Sequence, residues 1–227
     1  MYWLKILAVD TSSNACSAAL QLSTDITERH VVEARAHTQI LLPMITELLA
    51  EGGISIGDLD AIVLGNGPGS FIGMRIGASV VQGLCFAGGL PVVPVSSLAA
   101  IATEAFADYT HDNVVVAQDA RMNEIYLAIF RKGASGLPEL IGEESITAVG
   151  ELSIAATPYV TAGAAWERYP DLLGANQRNI SAQLPIREPR ARHLLPRGLS
   201  IIESGRAIAP EMLTPAYLRA KVAEKPS

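Results

Sequence analysis

Cysteine is scarce in this chain of 227 residues, which holds only Cys16 and Cys85. Two distant cysteines in apolar stretches do not form a disulfide framework, so we expect reduced thiols in a cytoplasmic protein. Charged residues are few, at 18%, and the net charge of −6 argues against a general nucleic-acid coat, because phosphate affinity rests on clustered Lys and Arg. Hydrophobic residues make up 49%, which excludes a disordered chain.

A long uninterrupted hydrophobic run is also missing. The most apolar stretch, residues 79–95, is broken by Gln82, Gly88, Gly89, Pro91 and Pro94, so we expect no membrane span. The N-terminal apolar stretch meets Asp10 too soon for a signal peptide. The histidines form no i, i+4 pair of the kind that binds zinc on a helix, and we expect no intrinsic metal. They are His30, His37, His111 and His193.

The first half of the sequence predicts a mixed α/β sheet. Three short apolar strands in succession indicate an antiparallel meander. The apolar positions Leu41, Met44, Ile45, Leu48 and Leu49 follow the spacing of one helix face. The predicted elements are strands over 4–9, 15–22 and 27–36, a helix over 37–51, a strand over 61–64, a helix from about 70 to 87, a strand over 91–95 and a helix from 97 to about 107.

The second half restarts this pattern more faintly. Strands are predicted over 113–117, 124–131 and 159–162, and a helix over 191–207 with an interruption at Pro196. A block of type βββαβαβα followed by a degenerate copy predicts two related lobes. We place them at residues 1–108 and 109–227.

A glycine-rich loop separates the strand over 61–64 from the next helix. It contains Gly65, Gly67, Gly69 and Gly73, with Ser70 and Arg75 beside them. One interpretation is a phosphate-binding loop, because glycine permits close backbone approach and helix N-termini attract anions. The other is a tight structural turn, since the loop matches neither the Walker A motif nor the dinucleotide fingerprint.

Asp10 stands at the tip of the first strand and is followed by Thr11, Ser12 and Ser13. Such a carboxylate suits a hydrated Mg²⁺ ion or, alternatively, a side-chain-bonded turn that closes a hairpin. Asp119 takes the matching position in the second half, where we expect an ion pair within the loop.

Two further features each have two interpretations. The helix over 74–87 is apolar nearly all round, which indicates either burial on several sides or a helical subunit interface. Arginines gather in the second half and could contact RNA phosphates or form a solvated face. These arginines are Arg178, Arg187, Arg190, Arg192 and Arg197.

Five segments resemble the TsaB (YeaZ) family, and they occur in the family's order along nearly the whole chain. The longest is Gly67-Pro-Gly-Ser-Phe-Ile-Gly-Met-Arg75-Ile-Gly77. The others are Leu7-Ala-Val-Asp10-Thr-Ser, Arg35-Ala-His37-Thr-Gln-Ile-Leu-Leu-Pro43, Asp119-Ala-Arg121-Met-Asn-Glu124-Ile-Tyr126 and Pro215-Ala-Tyr-Leu-Arg219.

The resemblance implies the actin/Hsp70/sugar-kinase-like (ASKHA) fold in two lobes, the second degenerate. It also implies a role in forming threonylcarbamoyladenosine on tRNAs that read codons beginning with A. TsaB-like chains are degenerate paralogues of TsaD, which transfers the threonylcarbamoyl group. The metal-binding histidines of TsaD-like proteins are replaced here by Val95-Ser-Ser97. The resemblance therefore implies a subunit with no catalytic residues and no intrinsic cofactor.

The resemblance further implies partners. The first two helices would dock on TsaD, or on a second copy of the chain where TsaD is missing, and TsaE would join the pair. TsaC would supply the threonylcarbamoyl-adenylate, tRNA would be met through the complex, and ATP or ADP with Mg²⁺ would belong to the assembled complex. The predicted interface residues are Leu41, Met44, Ile45, Leu48, Met74, Gly77, Val81 and Leu84.

Two alternatives remain open. An ATP-dependent enzyme of the sugar-kinase type would use Asp10 and Thr11 with Gly67, Gly69, Ser70 and Arg75 as its nucleotide or phosphate loop. A metallopeptidase is the other alternative, against which the missing histidine pair argues.

Overall fold

A computed structural model describes residues 4–33, 35–154 and 157–218. Arg219, the last residue of the family-like segments, lies outside them, as does the end of the second predicted lobe. The first sheet contains β1 (Lys5–Asp10), β2 (Ala15–Leu22), β3 (Asp25–Val32), β4 (Ala61–Gly65) and β5 (Val92–Val95) in the order β3-β2-β1-β4-β5. β1 to β3 form the predicted antiparallel meander, and β4 and β5 continue the sheet in parallel with β1.

Helix α1 (His37–Glu51) and helix α2 (Phe71–Gly88) cover one face of this sheet. The bounds of α1 match the prediction, because the apolar spacing sets its buried face and Gly52-Gly53 end it. The Ser70 hydroxyl caps α2 by accepting a hydrogen bond from the Gly73 N–H at 3.2 Å. Gly89, with φ of 65°, ends α2 in the left-handed conformation that glycine adopts without strain.

The second sheet repeats the topology of the first. It contains β6 (Asn113–Arg121), β7 (Glu124–Lys132), β8 (Pro138–Ala148), β9 (Tyr159–Ala162) and β10 (Ile180–Gln183) in the order β10-β9-β6-β7-β8. β6 to β8 are antiparallel, and β9 and β10 run parallel to β6. Helices α4 (Ala165–Arg168) and α5 (Pro170–Asn176) precede β10. Where the first half has α1, the described residues after β8 form only a short 3-10 helix, Val149–Glu151.

The C-terminal part of the chain returns to the first sheet, although the prediction assigns it to the second lobe. A 3-10 turn over Ala191–Leu194 leads into helix α6 (Leu195–Glu203). Leu194 and Leu195 pack against Ile6 and Ala8 of β1, on the sheet face opposite α1 and α2. The chain therefore leaves the second lobe after β10 and packs on the first sheet. Both faces of β1 are apolar, so the face opposite α1 and α2 must also be buried.

Helix α3 (Ser97–Asp108) lies between the two sheets. Leu98, Ile101 and Phe106 pack into the core of the second sheet, whereas Ala100 packs into the core beneath the first. This helix therefore fixes the position of one lobe against the other.

By length and composition α2 alone among the described helices could cross a membrane. It is instead folded onto the first sheet, where its face of Gly73, Met74, Gly77, Ala78, Val81 and Cys85 is buried.

Candidate functional site

A cleft of about 410 Å³ lies between the two lobes. It is lined by the β1–β2 turn, the start of α2 and the β6–β7 turn, together with the start of α3 and residues 164, 188–189 and 216–218. Its walls include Ser12, Ser13, Asn14, Gly69, Ser70, Ser97, Gln118, Asp119, Arg121, Tyr126, Glu188 and Tyr217. Both halves of the repeat contribute residues to this cleft.

Asp10 is buried at the floor of this region rather than exposed in the cleft. One carboxylate oxygen accepts hydrogen bonds from the Ser12 N–H and hydroxyl, both at 2.8 Å. The other accepts from the Ser97 hydroxyl at 2.7 Å. Burial raises the pKa of Asp10, and the hydrogen bonds oppose that rise. Both oxygens therefore already have donors, the arrangement expected of a side-chain-bonded turn.

The glycines of the loop allow the chain to pass close to the β1–β2 turn. A Cβ atom at Gly69 would lie 2.1 Å from the Ser12 carbonyl oxygen, and one at Gly73 would lie 2.0 Å from that of Thr11. The Ser70 N–H donates to the Ser12 carbonyl oxygen at 2.6 Å, and the Thr11 hydroxyl donates to the Gly73 carbonyl oxygen at 2.7 Å. The glycine loop and the β1–β2 turn thus use these polar groups to hydrogen-bond each other, which favours the interpretation of the loop as a tight structural turn.

Gly67 and Arg75 connect the loop and the start of α2 to other parts of the chain. Gly67 has φ of 86°, and its N–H donates to the Ser97 hydroxyl at 3.2 Å. The Arg75 guanidinium lies 3.5 Å from the centre of the Phe71 ring and donates to the Tyr217 hydroxyl at 2.9 Å. Arg75 therefore fastens the C-terminal segment to α2.

The second-half counterpart of Asp10 forms the ion pair that its sequence context predicted. Asp119 lies 3.3 Å from Arg121 and 3.1 Å from Arg168. It also accepts a hydrogen bond from the Tyr169 hydroxyl at 2.9 Å. The turn that follows places three successive non-glycine residues, from Arg121 to Asn123, at positive φ. This is a strained conformation that the flanking strands β6 and β7 hold in place.

The residues predicted to contact a partner are mostly core residues, which corrects that assignment. Seven of the eight have little or no exposure: Leu41, Met44, Ile45, Leu48, Met74, Gly77 and Val81. Five of these seven belong to the core between the helices and the first sheet, whereas Met74 lines the interlobe cleft and Gly77 lies against Thr11. Leu84 is partly buried against the same core. The apolar spacing therefore identifies mainly the face that covers the sheet, although Leu41 also lines the groove on the outward side.

The outward faces of the same helices form an apolar groove of about 380 Å³. Leu42 on α1 is 48% exposed, and Ile72 and Phe86 on α2 are 70% and 63% exposed. Ile76, Ser79 and Val80 line the groove with Leu42 and Ile72, and Phe86 lies further along α2. Helix α2 is therefore buried on one face and leaves apolar side chains exposed on the other.

The remaining sequence candidates lie outside the cleft or have partners. Arg187 pairs with Glu167 at 2.8 Å, and Arg190 pairs with the buried Glu28 at 2.6 Å. His193 lies 3.7 Å from Glu104, near Asp108, where α3 meets the chain before α6. Burial lowers the pKa of His193 to about 4 and raises that of Glu104 to about 7.

Sequence reasoning does not predict the role of Ser97, whose hydroxyl joins Asp10 to Gly67. It gives no local signal, because both partners lie far away along the chain. Sequence reasoning also does not single out Glu188, which lines the cleft.

Comparison with known proteins gives consistent matches. A family model described as "TsaD: tRNA N6-adenosine threonylcarbamoyltransferase" matches residues 31–169. The tRNA threonylcarbamoyladenosine biosynthesis protein TsaB of Escherichia coli is 34% identical over 98% of this chain and 97% of its own length. TsaB of Haemophilus influenzae is 48% identical over 55% of this chain and 53% of its own.

A solved structure of YeaZ from Pseudomonas aeruginosa superimposes with a TM-score of 0.87 at 34% identity. The superposition covers 95% of this chain and 100% of the YeaZ chain. With the repeated sheet topology, this likeness confirms the predicted α/β fold of the actin/Hsp70/sugar-kinase type.

Proposed function

The chain belongs to the TsaB family of tRNA threonylcarbamoyladenosine biosynthesis proteins, and we propose that it is a non-catalytic scaffold subunit in that pathway. It binds TsaD, helps to recruit TsaE, and meets tRNA through the assembled complex in the cytoplasm. TsaC supplies the threonylcarbamoyl-adenylate, and ATP or ADP with Mg²⁺ is used by the assembly. Where TsaD is lacking, two copies of the chain form a homodimer through the face of α1 and α2 that otherwise binds TsaD.

The observation that carries this proposal is the exposed apolar face of α1 and α2. Leu42, Ile72 and Phe86 place three large hydrophobic side chains in water along one side of a single lobe. Exposed apolar patches of this kind are typical of protein–protein contacts. The face is backed by a rigid helix pair on the first sheet, so it is already shaped for a partner.

The chemistry of the cleft supports a role without catalysis. Asp10 is buried with both carboxylate oxygens hydrogen-bonded, and Asp119 is paired with two arginines. A general base must be within reach of the substrate proton, and every oxygen of these two carboxylates already accepts a hydrogen bond or faces an arginine.

The decisive experiment is tRNA modification in a mixture of TsaC, TsaD, TsaE, ATP and tRNA, with and without this chain. We expect modification to require the chain although the chain alone has no activity. Full modification without it would overturn the scaffold role.

The interface is tested by co-elution of TsaD with Leu42→Glu. We expect at least about tenfold weaker binding, because a buried charge without a partner costs more than the 1.4 kcal/mol that tenfold represents. Leu140→Glu on β8 is the matched control, since Leu140 is 42% exposed and lies in the other lobe. Native-like co-elution of Leu42→Glu with TsaD would show that this face is not the interface.

A second candidate, an ATP-binding enzyme of the sugar-kinase type, is favoured only by the size and position of the interlobe cleft. Calorimetric titration of the isolated chain with Mg-ATP separates the two functions. The scaffold proposal expects no saturable heat from the chain alone.

A further inference from the structure

The C-terminal segment, residues 209–218, runs from the first lobe to the second. Leu213 is buried in the core between the first sheet and helices α1 and α2. Leu218 packs against the core of the second sheet. Residues 216–218 form part of the wall of the interlobe cleft. This segment, the strap, therefore joins both lobes along one side of the cleft.

Backbone hydrogen bonds hold the first part of the strap. The side-chain amide of Gln82, on α2, donates to the Leu213 carbonyl oxygen at 3.3 Å. The side-chain amide of Asn66, in the glycine loop, donates to the Thr214 carbonyl oxygen at 2.9 Å. The Asn66 carbonyl oxygen accepts from the Ala216 N–H at 3.1 Å. These bonds fix the path of the chain as far as Ala216.

Beyond Ala216, Arg75 holds the strap to α2 through the side chain of Tyr217. The Arg75 Nε donates to the Tyr217 hydroxyl at 2.9 Å, and the guanidinium lies over the Phe71 ring. The Phe71 and Tyr217 rings are 5.4 Å apart, centre to centre. Tyr217 is 43% exposed, and contacts of this kind are individually weak at exposed sites. This end of the strap is therefore the easier one to release.

Arg75 also belongs to the apolar groove on the outward faces of α1 and α2. It lines that groove together with Ile72, which lines the cleft as well. Among the described residues that line the groove, Arg75 is the one side chain with a permanent charge. An apolar partner surface that carries a carboxylate at the Arg75 end is therefore complementary to the groove.

A partner carboxylate is a stronger acceptor for Arg75 than the Tyr217 hydroxyl is. The hydroxyl is neutral and accepts from Nε, whereas a carboxylate opposes the guanidinium charge and accepts from two of its N–H groups at once. A carboxylate fork that uses Nε and a terminal nitrogen competes directly with Tyr217.

We propose that Arg75 is a latch shared by the groove and the cleft. A partner that brings a carboxylate to the groove takes the Arg75 Nε from Tyr217, and the end of the strap leaves the cleft wall. Release of the strap in this way rests on the proposed function, in which that partner is TsaD. Because such coupling is reciprocal, loosening the strap in advance favours the partner.

Calorimetric titration of the full chain with TsaD tests the competition. Tyr217→Phe keeps the ring and removes the competing hydroxyl, so we expect about threefold tighter binding. Arg75→Ala removes the donor for the partner carboxylate and should bind at least about fivefold more weakly. Arg131→Ala, with the same loss of charge at an exposed site on β7, is the matched control and should bind like the native chain.

Amide hydrogen exchange follows the strap itself. In the chain without TsaD, Arg75→Ala should speed exchange of the Ala216 amide at least about fivefold, because the latch is lost. The Leu213 amide, which donates to the Pro210 carbonyl oxygen at 3.1 Å, should exchange as in the native chain. Binding of TsaD to the native chain should likewise speed exchange at Ala216 and not at Leu213.

The outcomes separate this latch from the proposed function. Binding of TsaD that Tyr217→Phe leaves unchanged or weakens would overturn the competition and leave the scaffold role standing. So would exchange at Ala216 that stays constant in Arg75→Ala, or that does not accelerate when TsaD binds. Failure of TsaD to bind the native chain would overturn the proposed function and the latch together.

Discussion

The Ser97 hydroxyl donates a hydrogen bond of 2.7 Å to the buried Asp10 carboxylate and thereby joins the end of β1 to the first turn of α3. The same hydroxyl accepts from the Gly67 N–H at 3.2 Å. One side chain thus connects the first strand, the glycine loop and the helix that lies between the lobes. Its loss would leave a buried acceptor and a buried donor unsatisfied at once.

Ser97→Ala should therefore lower the free energy of unfolding by about 1–3 kcal/mol, the usual cost of leaving buried polar groups unpaired. Denaturation in urea measures the change. Ser153→Ala, at an exposed site, is the control and should differ from native by less than about 0.5 kcal/mol. Equal stability of the two variants would show that the Ser97 bond contributes nothing.

Two glycines of α2 provide a matched pair. A Cβ at Gly77 would lie 2.4 Å from the Thr11 hydroxyl oxygen and 3.3 Å from Leu64, whereas a Cβ at Gly83 would meet nothing within 4 Å. Gly77→Ala should destabilise the protein, because Thr11 is held by its hydrogen bond to Gly73. Gly83→Ala should stabilise it by about 0.5–1 kcal/mol, since alanine favours the helix.

Thermal unfolding of both glycine variants measures this contrast. Changes of the same sign in the two variants would mean that helix propensity, and not the close approach to Thr11, decides the outcome.

The pair of Glu104 and His193 predicts an unusual pH dependence. The pKa of His193 is lowered from 6.5 to about 4, so the unfolded chain binds its proton first and stability rises with pH from 4 to 6.5. The pKa of Glu104 is raised from 4.5 to about 7, so the native state holds its proton longer and stability falls with pH from 4.5 to 7. The two effects oppose each other in the native chain.

Glu104→Gln removes only the contribution of Glu104, which lowers the free energy of unfolding as pH rises. The free energy of unfolding of this variant should rise more steeply between pH 4.5 and 6.5 than that of the native chain, as urea denaturation at several pH values would reveal. Glu203→Gln, at an exposed site on α6, should leave the native slope unchanged. Parallel profiles for Glu104→Gln and the native chain would contradict the assignment.

Both cysteines should be chemically inert in the folded protein. Cys16 and Cys85 are fully buried, and burial raises the pKa of each thiol to about 12. The thiolate is the reactive form, so an aromatic disulfide reagent should react with native protein only as fast as the chain unfolds. Rapid labelling of either thiol without unfolding would disagree with the packing of β2 and α2.

Local sequence signals were sufficient to predict an element where its buried face and its end are both set by residues within or next to that element. The bounds of α1 follow from its apolar spacing and from Gly52-Gly53, and the meander of β1 to β3 follows from short turns between apolar strands. β8 was missed because only one of its 11 residues is buried, so it shows no alternation with a buried face. The two lobes were predicted, but the return of α6 to the first sheet was not.

The sequence by itself determined the order of elements, the repeat of two related sheets and the positions where only glycine permits close approach. Only the tertiary structure decided which face of α1 and α2 meets water, and which groups meet Asp10 and the β1–β2 turn. The physical reason is that periodicity identifies a face to be buried but not what covers it. The contacts of Ser97 and Arg75 likewise join distant segments, and no local pattern encodes them.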